Sequence, residues 1–145
     1  LADFEDTPAT RRSLYDLNVS YARENPGLLE PISFPVFEQF IIQAPWFRRE
    51  GQLLAVDGDR WVGMCAISLS PDGLTARNQH TGVLTAYRGR QLATALKVLG
   101  AVSARNNGAA ALLTDNNLRH APILKINRKM GYLPQPGKYT LVRMF

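Results

Sequence analysis

Two spacings of apolar residues alternate along this chain, and each switch between them predicts an element boundary. Behind Thr7-Pro8, a capping residue followed by proline at the first helical position, Leu14, Leu17 and Tyr21 recur at helical intervals. They predict an amphipathic helix that Asn25-Pro26-Gly27 stops. A shorter helix is expected over residues 33–43, with Val36, Phe37, Phe40 and Ile41 facing inward and Pro45 ending it. The period then drops to two. Residues 52–56 and 60–69 read as strands joined by a tight turn at Asp57-Gly58-Asp59. Pro71-Asp72-Gly73 is a second turn, leading into a strand over about residues 75–84.

Helical spacing returns with Leu92, Ala95, Leu96, Leu99, Val102 and Ser103, closed by Asn107-Gly108. Residues 110–114 are expected as a short buried strand. Pro122 opens another helix, with Ile123, Ile126 and Met130 on one side and Gly131 at its end. Residues 138–145 alternate as a final strand. Strand, helix and strand over residues 75–114 form a crossover unit, whose two strands should run parallel. Everything before it reads as antiparallel. The expected class is therefore α/β (α+β).

A chain of 145 residues, 46% hydrophobic and 20% charged, suits a single domain spanning 1–145 whose core needs neither disulfide nor metal. The one cysteine, Cys65, lies in the strand-like run Trp61-Val62-Gly63-Met64-Cys65-Ala66-Ile67 and is expected as a small core residue. It excludes an internal disulfide and fits a reducing, cytoplasmic setting. No apolar run approaches the roughly 20 residues that span a bilayer, so no membrane partner is expected. The chain starts at Leu1 rather than Met, which leaves open a domain cut from a longer protein.

Charge is unevenly divided. Residues 1–72 hold 6 Lys/Arg against 11 Asp/Glu, and residues 73–145 hold 11 Lys/Arg against one acid, Asp115. A basic second half suits a polyanion. The basic residues are scattered and not interleaved with aromatics, which argues against nucleic acid and for a phosphorylated small molecule.

The segment Val83-Leu84-Thr85-Ala86-Tyr87-Arg88-Gly89-Arg90-Gln91-Leu92-Ala93-Thr94 places that anion. It reads as a strand entering a basic turn that opens into a helix. A helix start presents unpaired N–H groups and a partial positive charge. Arg88 and Arg90 add full charges, and Gly89 lets the backbone approach a ligand closely. A phosphate or diphosphate fits. The Gly-Lys-Ser/Thr ending of a P-loop is missing, as is the three-glycine dinucleotide fingerprint.

Val83, Tyr87, Arg88, Gly89 and Ala93, with a second set of Thr114, Asn116, Ile126, Asn127, Gly131 and Tyr132, resemble the two motifs of the GNAT superfamily of acetyl-CoA-dependent N-acetyltransferases. The resemblance covers the chain from its first helix onward, with the family's initial strand mostly missing before Leu1. It admits a mycothiol-synthase-like member or one half of a tandem enzyme. It implies a mostly antiparallel central sheet with a splayed parallel strand pair and helices on both faces. It also implies acetyl-CoA, or another acyl-CoA, as co-substrate. Amides of the turn from Arg88 through Arg90, Gln91 and Leu92 to Ala93 would hold the diphosphate. Val83, Leu84 and Thr85 would pair with the pantetheine arm, and donors near Val83 and Leu84 would polarise the thioester carbonyl. Asn116, His120 and Asn127 join the cofactor-binding set.

Three positions depart from the family pattern. Gln91 stands at a glycine position, His120 at an asparagine, and Asn127 where many members carry a tyrosine acid. No general acid is assigned. For the base, the resemblance points to Gln79 and His80, of which only His80 titrates near neutrality. Asp115, Glu30 and Glu38 are further carboxylates in reach of consideration. The acceptor is expected over the first two helices, at Glu30, Phe34, Phe37 and Glu38, an aromatic and acidic set suited to a small-molecule or peptide amine. Packing of those aromatics against the sheet is the competing reading. Two other classes stay open: a non-catalytic acyl-CoA-sensing or dimerising domain, as homodimer or tandem partner, and a nucleic-acid binder with steep salt dependence.

Overall fold

The computed structural model describes residues 4–24, 31–118 and 120–137. The expected stop at Asn25-Pro26-Gly27, Glu30 and the final strand at 138–145 lie outside the described residues. Contacts divide the chain into two units, residues 1–115 and 116–145.

In the first unit, α1 runs Pro8–Arg23. Thr7 and Thr10 close a reciprocal cap: the Thr10 amide donates to Thr7 Oγ1 at 3.2 Å and the Thr7 amide donates to Thr10 Oγ1 at 2.9 Å. The second helix, α2, starts as Phe34–Phe37 and continues as a π-helical turn over Glu38–Ile42. Its buried residues, Phe37 and Ile42, stand five apart, which is the spacing of that wider turn. The 3.6 period assumed from sequence therefore misplaces the face: Phe40 is 62% exposed and Val36 is exposed as well.

Strands β1 (Gln52–Asp57), β2 (Arg60–Leu69), β3 (Thr75–Val83) and β4 (Ala111–Thr114) form one sheet in the order β1-β2-β3-β4. The first two pairings are antiparallel and the last is parallel, as the crossover unit requires. Helix α3, Leu92–Asn106, makes that crossover. Strand β4 is not buried: Ala111 and Leu113 are exposed and their neighbours half-buried.

Alternation along β2 sends Met64 and Ala66 into a core with Leu14, Leu17 and Phe37, while Cys65 and Ile67 pack with Ala76, Val83 and Leu96. Helices thus cover both faces of the sheet. Helix α3 buries Leu96, Lys97, Gly100 and Ala104, a stripe one position round from the expected one, and leaves Val102 49% exposed. Gly100 explains the shift. A Cβ there would lie 2.9 Å from Ile67 Cδ1, so the helix seats its backbone against β2 at the one position without a side chain.

One bulge decides which way the end of β3 faces. Asn78 pairs with Ile67 and His80 with Ala66, so Gln79 is an extra residue on β3. An added residue reverses the inward and outward sense beyond it. Asn78 and Thr81 consequently share the α3 face with Cys65, whereas His80 turns to the α1 face, against Tyr21.

In the second unit, α4 spans Ala121–Lys129 with Pro122 in its first turn and Gly131, at φ 80°, closing it. Its buried residues are Ile123 and Asn127.

Candidate functional site

The turn between β3 and α3 is built to leave amides open. After Val83 the chain makes a short 3-10 turn, Thr85–Tyr87, closed by the Arg88 amide donating to Thr85 O at 3.1 Å. Gly89 then takes φ 77° and Gln91 φ 62°, both left-handed. Gln91 is the only non-glycine at positive φ among the described residues, a conformation costing about 1–2 kcal/mol. It stands where the resemblance expects glycine, and the backbone keeps the shape a glycine would give. Gln91 makes no side-chain cap on α3. Among the described residues, the amides from Gly89 to Thr94 donate to no backbone carbonyl outside the helix. Residues 88–91 are exposed.

Positive charge gathers on the aromatic ring that precedes this turn. The Arg90 guanidinium lies 5.2 Å and the Arg60 guanidinium 5.9 Å from the Tyr87 ring centre. The Tyr87 hydroxyl donates to Asp57 Oδ2 at 2.9 Å, fixing the ring. Arg60 joins Arg88 and Arg90 only through the fold, and nothing in its local sequence marked it.

At the tip of β3, the backbone groups expected to meet a pantetheine arm carry protein partners. Arg88 Nε donates to Val83 O at 3.2 Å, and the Leu84 amide donates to Val62 O at 3.0 Å. The Thr85 amide and hydroxyl both donate to Glu24 Oε2, at 2.6 and 2.8 Å. Glu24 also lies 3.8 Å from Arg88 Nη2. The Leu84 amide, expected as a thioester donor, is therefore spent on β2. Sequence reading missed Glu24, yet a signal existed. A carboxylate capping the C-terminus of α1 opposes the helix dipole, which points to a partner elsewhere in the fold.

His80 is half-buried on the α1 face, its ring edge-on to Tyr21 at 5.0 Å. Its Nε2 is enclosed and has no hydrogen-bond partner. Burial lowers its pKa to about 4, so the imidazole is neutral at pH 7. Gly82 makes the contact possible, since a Cβ there would lie 2.8 Å from the Tyr21 ring and 2.9 Å from His80 Nε2. Burial also raises the Tyr21 pKa, with Arg88 opposing. Gln79 is elsewhere, donating to Ser68 Oγ at 2.9 Å.

The other expected residues separate. Phe37 is 1% exposed, in the core beside Tyr15, so it packs rather than lines a surface. Phe34 meets Tyr15 edge-on and takes the Arg12 guanidinium over its ring. Glu38 pairs with Arg11 at 3.6 Å, and Asp115 pairs with Arg77. Leu92 and Ala93 are half-buried at the start of α3. Within the second unit, Asn127 Nδ2 donates to Asn116 Oδ1 at 2.6 Å, while Asn127 Oδ1 is buried without a partner. His120 is the N-cap residue of α4 and makes no side-chain cap. Among the described residues no group of three or more His, Cys, Asp or Glu comes together to hold a metal, and no helix is long and apolar enough to cross a membrane.

No protein-family model matches the sequence, and no curated protein matches it. Solved structures do. The chain is similar to an aminoglycoside 6'-N-acetyltransferase from Acinetobacter haemolyticus, with TM-score 0.69 and 17% identity over 96% of this chain and 95% of that one. It is similar to a ribosomal-protein-alanine N-acetyltransferase from Brucella melitensis biovar Abortus 2308, with TM-score 0.68 and 17% identity over 93% and 94%. An aminoglycoside N-acetyltransferase solved with CoA matches at TM-score 0.66 and 15% identity, over 94% and 89%. The fold of this chain is that of the GNAT acetyltransferases.

Proposed function

We propose that this chain is an acyl-CoA-dependent N-acyltransferase that moves an acetyl group directly to a primary amine. The observation that carries the reading is the turn from Arg88 to Ala93: amides open from Gly89 onward, with Arg88 and Arg90 beside them, at the end of β3 in an acetyltransferase fold. A diphosphate accepts from those amides, and the left-handed Gln91 keeps its side chain exposed rather than folded across them as a cap. The resemblance that assigned Val83–Thr85 to the pantetheine arm requires Arg88 Nε and Glu24 to release Val83 O and the Thr85 amide on binding. Acyl-CoA supplies the thioester; the protein supplies position, which turns a bimolecular aminolysis into an oriented one.

Deprotonation of the amine falls to Glu24 in this reading rather than to His80. His80 Nε2 is enclosed beside the Tyr21 ring and Gly82, whereas the Glu24 carboxylate is exposed, so an incoming ammonium meets Glu24 and not the imidazole. Glu24 presents a carboxylate at the strand tip, where an ammonium can replace Arg88 and Thr85 as its partner. The similar enzymes acetylate aminoglycosides and a ribosomal-protein alanine by name, which supports an amine on a small molecule or peptide as acceptor.

The test is release of free CoA thiol from acetyl-CoA, measured across a panel of primary amines. Amine-dependent release is expected, falling at least 100-fold in Glu24→Gln and less than 5-fold in His80→Gln. CoA binding without release by any amine would favour the acyl-CoA-sensing alternative.

A further inference from the structure

Strand β3 pairs with β4 only from Thr75 to Asn78, opposite Ala111 to Thr114, yet stays paired with β2 as far as Val83. The two parallel strands part at Asn78, next to the bulge residue Gln79. Asn78 is 5% exposed, and its side chain spans the bulge. Its Nδ2 donates to His80 O at 2.9 Å, Ala66 O at 3.3 Å and Cys65 Sγ at 3.2 Å. Its Oδ1 accepts from Thr81 Oγ1 at 3.0 Å and from Lys97 Nζ.

Lys97 comes from α3 and is 2% exposed, a rare placement for a lysine. An ammonium donates and never accepts, so it admits only the oxygen of the Asn78 amide on its side. The NH2 group is thereby forced toward His80 O and Ala66 O, across the bulge. Were the amide reversed, two donors would face each other at Lys97 and two acceptors at His80 O. One helix cation thus orients the amide whose NH2 bridges the bulge, at the point where β3 and β4 part.

We propose that Lys97, acting through Asn78, is a positioning residue that holds the bulge and so sets the opening between β3 and β4 that admits the acyl arm. This assignment rests on the acyltransferase reading above. Neither residue touches the reacting atoms.

The experiment compares Lys97→Met with Lys97→Gln in amine-dependent thiol release and in CoA binding. Methionine fills the space without a donor, while glutamine keeps a donor at a shorter reach. The expected order of kcat/KM is wild type, then Gln, then Met, with Met at least 10-fold below wild type and Gln recovering part of the loss. A residue that only packs would give Met equal to or above Gln. Should Lys97→Met fail to fold, Asn78→Asp is read the same way, because it keeps acceptors for Lys97 and Thr81 and loses the donors to His80 O; the same 10-fold loss is expected. A folded variant with wild-type kcat/KM and CoA affinity overturns this assignment alone. A wild-type chain that neither binds CoA nor releases thiol overturns the acyltransferase reading, and this assignment with it.

Discussion

Toward α3 the sheet carries Asn78, Thr81 and Cys65, which meet Lys97 of the helix, and both polar atoms of the Asn78 amide have protein partners. Toward α1 it carries His80, whose enclosed Nε2 has none. The two faces are made by the same strand, on either side of a single extra residue. A satisfied cluster fixes geometry, because each member is oriented by the next. An unsatisfied buried nitrogen costs about 1–3 kcal/mol and is the kind of group a ligand or water completes. Under the function proposed above, the α3 face serves architecture and the ligand meets the edge of the α1 face, where Glu24 reaches the tip of β3 and Tyr21 packs on His80.

Removing each group should separate the two. Lys97→Ala leaves a hole and strips a donor from Asn78 Oδ1, so unfolding in urea should show a loss of about 3 kcal/mol. His80→Gln should lose well under half of that. Equal losses would erase the distinction between the faces. Gly82→Ala places a methyl 2.8 Å from the Tyr21 ring, and about 2 kcal/mol of stability should go as the ring and His80 are forced apart.

Acid sharpens the same contrast. His80 in the folded chain titrates near 4, against about 6.5 unfolded. Between those values the unfolded state takes up a proton that the folded state does not. Stability therefore falls as pH drops from 6.5 toward 4. Thermal melts over that range should show a smaller fall for His80→Gln than for the wild type; parallel curves would mean an accessible imidazole. The smallest effect is at the turn. Gln91→Gly relieves a left-handed side chain, and a gain of about 1 kcal/mol is expected with CoA affinity retained.

Much of this was legible in the residues. The four strands among the described residues, the tight turns, the crossover helix and the basic turn each rest on local signals: alternation, glycine placement, capping chemistry. What escaped depends on tertiary approach. Gly100 draws α3 onto β2 and rotates its stripe, which buries Lys97 where an exposed lysine was the natural reading. The π turn in α2 and the extra Gln79 each change the periodicity by one residue, and no composition rule announces them. Glu24 and Arg60 reach the site across long sequence separations, so neither the turn motif nor the helix pattern contains them. The exposed β4 likewise reflects what packs beside it, not its own apolar letters.

The most direct measurement is a calorimetric titration of the chain with CoA and with pantetheine, which lacks the diphosphate. Micromolar binding of CoA, with pantetheine at least 100-fold weaker and Arg88→Ala lowering CoA affinity, is the result predicted if the turn before α3 grips a diphosphate. Equal affinities for the two, or no binding of CoA at all, would contradict it.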